Sequence, residues 1–212
     1  MKWEYGEIYK KYDMRKEIKA GTGIVKVHDI FEKTPEFMLE ADVVFCDPPY
    51  NQSALSSFYT KANLQATKEF SDFGNRLIEI IKEISPKFTF IESGLKQTSD
   101  WISKLKEIHS HIIVKEAYYY HSKKNLCNIL CAYDDDVPEC IQNLPFADEE
   151  KIIELICRNV DFDCIADPCM GIGLVGFYAN RYGKKFVGTE LNPKRLAVCV
   201  ERVLTNQRGK IN

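Results

Sequence analysis

A chain of 212 residues, 45% of them hydrophobic, can bury one substantial core but is short for two independent domains. Its formal charge of -2 excludes a general basic field, so any contact with a polyanion has to rest on local patches. No apolar run reaches membrane-spanning length, and Met1-Lys2-Trp3-Glu4 lacks the apolar stretch of a secretory signal, so a cytoplasmic protein with no membrane partner is expected.

In chain order, the cations Lys10, Lys11, Arg15, Lys16 and Lys19 come first, interleaved with Glu4, Glu7, Asp13 and Glu17. They read as a solvated face or as a nucleic-acid contact, and the same two readings apply to Lys123-Lys124 and Lys184-Lys185. Strand-like runs lie at 23–28, 42–46, 87–92, 111–119, 126–133, 162–167 and 185–190. The polar segment 51–69, with Phe58, Tyr59, Lys61 and Lys68, is expected to be a mobile cover for the substrate, the alternative being a surface loop. Leu77, Ile80, Ile81 and Ile84 predict a helix ended by Ser85-Pro86; Trp101, Leu105 and Ile108 predict another, capped by Thr98 or Ser99.

Only the polar Ser122-Lys123-Lys124 separates the runs at 111–119 and 126–133, which predicts an antiparallel hairpin; the acidic segment 134–138 then leaves the sheet. Asp148, Glu149 and Glu150 sit at the positive end of a helix carrying Ile152, Ile153, Leu155 and Ile156. A helix over 174–182 stops at Gly183, and one over 193–204 opens with Pro193. The pattern predicts an α/β fold whose seven-stranded, mostly parallel sheet is covered by helices, in a single domain over 1–212. Eight cysteines contain no Cys-x-x-Cys pair, and Cys127 with Cys131 lacks a second ligand pair, so all read as reduced, mostly buried thiols and no metal site is expected.

Two turns carry chemistry. The apolar run 42–46 delivers Asp47-Pro48-Pro49-Tyr50 at its carboxyl end, where α/β sheets place ligands. Adjacent prolines fix φ and remove two N–H donors, leaving a stiff loop whose carbonyls are acceptors. An exocyclic amine on a base is a poor nucleophile because its lone pair is delocalised. The Asp47 carboxylate and the Pro48 carbonyl can bind both amine hydrogens and favour a more pyramidal nitrogen, while Tyr50 offers a face for an extruded base. The plain alternative is a Pro-Pro turn with an incidental aspartate and a core tyrosine.

The second turn, Asp167-Pro168-Cys169-Met170-Gly171-Ile172-Gly173, lies between a strand and a helix, and a further strand ends in Glu190, where nucleotide-binding α/β folds grip ribose hydroxyls. The loop lacks the Gly-Lys-Ser/Thr of a phosphate loop, and its acid suits a cationic ligand such as the ammonium and sulfonium of S-adenosyl-L-methionine. Tight packing alone is the competing reading of the glycines.

Together these motifs resemble the amino-methyltransferases of DNA, in particular the adenine-N6 enzymes, whose loop is Asp-Pro-Pro-Tyr. The resemblance implies a Rossmann-like methyltransferase fold with S-adenosyl-L-methionine as cofactor and DNA as partner, in a permuted, β-type motif order with the catalytic half (1–133) before the cofactor half (147–212). It implies Asp47, Pro48, Pro49 and Tyr50 as catalytic residues. It also implies cofactor contacts at Asp47, Asp167, Pro168, Cys169, Gly171, Gly173, Glu190, Leu191 and Asn192. Asp29 would lie near the cofactor's adenine or be a surface turn acid; Phe146 would line the cofactor site or simply pack. Cys169, Ile172 and Leu174 replace the family's usual phenylalanine, serine and threonine. Of Tyr118, Tyr119 and Tyr120, one ring is a candidate to sandwich the target base, and His121 reads as structural. The interval 134–146, where relatives carry target recognition, is short and acidic. Selectivity would come from 51–69, from the N-terminal cations, or from a second subunit, either a homodimer partner or a recognition subunit, or there would be none. Cytosine-N4 or RNA methylation, a role in restriction-modification, and a non-catalytic subunit of a methyltransferase complex are the other readings of the same residues.

Overall fold

The computed structural model describes residues 6–119 and 122–209; the readings above for residues 1–5, Tyr120 and His121 lie outside the described residues. Eight strands, β1 (Ile18–Ala20), β2 (Gly23–Val27), β3 (Val43–Cys46), β4 (Phe88–Gly94), β5 (His111–Tyr118), β6 (Leu126–Tyr133), β7 (Cys164–Asp167) and β8 (Lys185–Glu190), form one sheet in the order β1-β2-β8-β7-β3-β4-β6-β5. The five from β2 to β4 in that order are parallel, β1 is antiparallel to β2, and β6 is antiparallel to both β4 and β5. The sheet thus has one strand more than the seven expected. The addition is β1, whose three residues turn at Gly21 (φ 54°) and pair from Ile18↔Val25 to Ala20↔Gly23; so short a run carries no readable alternation.

Seven α-helices accompany the sheet among the described residues: α1 (Gln52–Lys61), α2 (Phe70–Ile84), α3 (Thr98–Leu105), α4 (Glu139–Gln142), α5 (Glu149–Asn159), α6 (Leu174–Arg181) and α7 (Pro193–Thr205). Apolar faces of α1, α2 and α3 pack on one side, those of α5, α6 and α7 on the other. β3 shows the division residue by residue: Val43 and Phe45 join the α5–α7 side, Val44 and Cys46 the α1–α3 side. A strand buried on both faces needs an unbroken apolar run, which is what its sequence has.

Capping follows the local chemistry. Asp148 accepts from Lys151 N at 2.8 Å to open α5, Asn192 accepts from Lys194 N at 2.9 Å to open α7, and α2 ends on Ser85 in the left-handed region (φ 55°). At α3 the expected cap is replaced: Gln97 holds the N-cap without a side-chain bond. The Thr98 hydroxyl is engaged elsewhere, donating to Gly94 O (3.2 Å) and accepting from Asn128 Nδ2 (3.0 Å).

The segment 51–69 is also corrected. Its first half is the helix α1, capped by Asn51, which accepts from Ala54 N at 2.9 Å, and anchored by Leu55 and Tyr59, buried one turn apart. All eight cysteines are free thiols, six of them buried. Among the described residues no helix is long and apolar enough to cross a membrane.

Candidate active site

β7 continues through α6 to β8 on one side of it, whereas β3 continues through α1 and α2 to β4 on the other. The carboxyl ends of β7 and β3 therefore flank a crevice at a topological switch point, where open α/β sheets bind ligands. Register Val43↔Ile165 and Val44↔Ala166 sets the Asp47 and Asp167 loops side by side. Cys46, closing β3, shares an apolar cluster with Cys169 of the glycine loop, and burial together with contact from Cys169 drives the Cys46 thiol well above its usual range. Two segments more than a hundred residues apart in sequence thus converge.

Pro48 and Pro49 are buried, and among the described residues no protein group donates to the Pro48 carbonyl. The Asp47 side chain is accessible, yet protein crowds it closely. That enclosure pushes its carboxyl up to about 7, against the guanidinium of Arg195 and with the help of Glu149. The Tyr50 hydroxyl donates to Glu92 Oε1, and its ring meets that of Tyr119 edge-on (centroids 5.7 Å apart, planes at 65°). Of the two described tyrosines of the cluster, Tyr118 and Tyr119, it is Tyr119 that borders the Asp-Pro-Pro-Tyr loop.

On the other wall, Asp167 is buried, and burial drives its carboxyl well above the usual carboxylate range although Oδ1 accepts from Cys169 N at 3.0 Å. Glu190 is also raised by burial; its two oxygens accept from Gly171 N (2.7 Å) and Asn192 N (2.9 Å), which tie the glycine loop to the end of β8. Thr189 pulls the loop down as well, its hydroxyl donating to Pro168 O (2.9 Å) and its carbonyl accepting from Met170 N (2.9 Å). The glycines have packing reasons of their own. A Cβ on Gly171 would stand 2.7 Å from Arg195 Nη2, and one on Gly173 (φ 80°) would stand 2.2 Å from Cys199 Sγ.

Asp29 follows β2 in a turn, part-buried: Oδ1 accepts from Phe31 N at 3.0 Å and from Tyr59 OH at 2.8 Å, which ties the turn to α1. Leu191 packs against the apolar cluster on the α1–α3 side, and Asn192 Nδ2 donates to Lys61 O at 3.0 Å, so α1 is stitched to both Asp29 and the β8 end. Phe146 is half-exposed against Tyr118 (5.2 Å), at the β5 end of the sheet and away from Asp29.

Three further groups, whose role no sequence motif marks, border the site. Glu92 was visible as a lone acid closing the apolar run of β4. Glu149 was assigned to a helix end, yet its charge bears on both Asp47 and Glu92. Arg195, in the first turn of α7, lies over the Phe58 ring (5.2 Å) and beside Gly171, and its charge acts on Asp47, Asp167 and Glu190. Among the described residues no cluster of three or more His, Cys, Asp or Glu side chains is placed to hold a metal ion.

The overall fold matches solved structures. TTHA0409 of Thermus thermophilus, a proposed DNA modification methylase, superposes with a TM-score of 0.59 at 17% identity over 87% of this chain and 95% of its own. M1.HpyAVI gives 0.54 at 16% identity over 85% and 98%, and the PvuII cytosine-N4-specific DNA methyltransferase 0.54 at 10% over 89% and 94%. TTHA0409 has also been solved in complex with S-adenosyl-L-methionine. No curated relative matches the sequence significantly. Residues 2–125, more than half of the chain and including the Asp47-Pro48-Pro49-Tyr50 loop, match one family, and this chain belongs to it: the D12 class N6 adenine-specific DNA methyltransferases.

Proposed function

We propose that the enzyme takes S-adenosyl-L-methionine as methyl donor and presents the N6 amine of an extruded adenine to it in the crevice between β3 and β7. The carrying observation is the meeting of a rigid acceptor loop with a glycine loop among carboxylates that burial has left short of compensation, Asp47, Asp167 and Glu190. Such a site fits a ligand bearing positive charge, because each acid gains what solvent no longer gives it. When bound, the cofactor supplies an electrophilic methyl group on a sulfonium.

The chain's own residues do the rest. Asp167 and the loop through Pro168, Cys169, Gly171 and Gly173 hold the amino-acid portion. Glu190 retains lone pairs for ribose hydroxyls, and Leu191, Asn192 and Asp29 border the adenosine end. The Asp47 carboxylate and the Pro48 carbonyl accept the two amine hydrogens, Pro49 keeps that corner stiff, and Tyr50 stacks on the base. Phe146, against Tyr118, closes the far end of the same site. The halves 1–133 and 147–212 act as a single unit, each supplying one wall.

The test is transfer of labelled methyl from the cofactor to unmethylated plasmid DNA, with the product nucleoside identified by mass spectrometry. N6-methyladenine is the expected product; N4-methylcytosine would overturn the assignment of the base. Asp47→Asn keeps the shape and removes the charge. It should lower transfer by at least about a hundredfold with thermal unfolding unchanged, and near-native turnover would remove Asp47 from the chemistry.

A further inference from the structure

Glu92 stands in the middle of an apolar sheet. It is 2% exposed, follows the fully buried Phe90 and Ile91, and faces Ile129 of β6 across the ladder. A carboxyl group there is costly unless it is hydrogen-bonded, and an apolar side chain would serve the core better. Its partner is the hydroxyl of Tyr50, the last residue of the catalytic loop. The Tyr50 hydroxyl also lies within reach of the Asp47 carboxylate, so Glu92 is its anchor on the sheet side. Tyr119 meets the ring edge-on, and beneath it lies Gly94, where even an added Cβ would reach only an ordinary 3.6 Å from Tyr50 Cγ. Losing the bond to Glu92 would release the hydroxyl from the sheet and leave the orientation of the ring less fixed.

We propose that Glu92 is a positioning residue, which grips the Tyr50 hydroxyl from inside the sheet and so fixes the ring plane on which the extruded adenine stacks. This rests on the reading that Tyr50 receives the base. Glu92 also lies within electrostatic reach of Asp47, but its bond is to Tyr50, and the role proposed is pre-organisation: stacking contributes fully only if the ring already lies in the plane the base will adopt.

The experiment uses the full chain and four variants: Glu92→Gln, Glu92→Leu, Tyr50→Phe and the double variant Tyr50→Phe/Glu92→Leu. Each is assayed for kcat, for KM of cofactor and DNA, and for the fluorescence change of a duplex carrying 2-aminopurine at the adenine that the unaltered protein methylates. Glutamine keeps the acceptor oxygen and should stay within about twofold of the native kcat. Glu92→Leu and Tyr50→Phe both break the Tyr50–Glu92 bond, and Tyr50→Phe also removes the hydroxyl's contact with Asp47. Each should lower kcat about tenfold and change the 2-aminopurine signal, with KM for the cofactor unmoved, and the double variant should be no worse than Tyr50→Phe alone.

Native kcat in a folded Glu92→Leu, or losses that multiply in the double variant, would overturn the proposal. Should Glu92→Leu not fold, Tyr50→Phe decides: native kcat and native fluorescence would overturn it, and the tenfold loss with an altered signal would support it. If the unaltered protein methylates no adenine, the reading of the site fails before that of Glu92. If it does and Glu92→Leu behaves as native, only the role of Glu92 falls.

Discussion

Replacing Arg195 by glutamine removes a cation that opposes the effect of burial on Asp47, whose carboxyl already stands at about 7. An opposite charge close to a carboxylate lowers its pKa by about one to three units, and the openness of the crevice argues for the low end of that range. The ionised carboxylate of Asp47 is the form that accepts the amine hydrogens, so activity should rise with pH through the Asp47 pKa and level off above it. In Arg195→Gln that limb should move up by about one unit. At pH 7 the ionised fraction would then drop from about one half to about one tenth, a roughly fivefold loss in kcat/KM, recovered by about pH 9. The assay is labelled methyl transfer to plasmid DNA at limiting cofactor, because kcat/KM reports the free enzyme's ionisations. At saturating cofactor the limb should lie lower in both proteins, since a bound positive charge favours the carboxylate. A loss of the same size at every pH would refute the electrostatic reasoning and leave Arg195 as a contact of another kind.

Gly173→Ala should cost roughly 2–4 kcal/mol, because φ at 80° strains any side chain and the new Cβ would fall on Cys199. For a chain of this size that is a fall in Tm of about 5–15 °C, readable by calorimetry, and an unchanged Tm would show that the turn can rearrange. Tyr59→Phe deletes the hydroxyl that holds Asp29. Cofactor affinity by isothermal titration should weaken about three- to tenfold while KM for DNA stays put, and unaltered affinity would remove Asp29 from the adenosine pocket.

The parts of the molecule that were legible in the sequence are those in which local chemistry and global role coincide. β3 reads as a buried strand because both of its faces are apolar, and Asp47-Pro48-Pro49-Tyr50 reads as a functional corner because two prolines restrict the backbone whatever the fold. The glycine loop and Glu190 were found through their spacing, since strand, turn and strand end are fixed by chain geometry. β1 was missed because three residues contain too little alternation to register. The helix α1 is hidden in the sequence because its polar surface outweighs the Leu55 and Tyr59 spacing. Arg195 and Glu149 acquired their importance only through convergence: each belongs to an ordinary helix start, and nothing local announces that the two helix starts face the same aspartate.

The strand order also constrains how the polypeptide is made. β7 and β8 leave the ribosome after the other strands, yet they occupy the middle of the sheet, wedged between β2 and β3. Until about residue 167 has emerged β3 lacks its β7 neighbour, and until about residue 190 β2 lacks its β8 neighbour, so the nascent chain carries unsatisfied apolar edges. Final assembly is therefore an insertion event that comes after synthesis of the segment bearing the Asp-Pro-Pro-Tyr corner, and a truncation before β8 would leave a gap at the centre of the sheet.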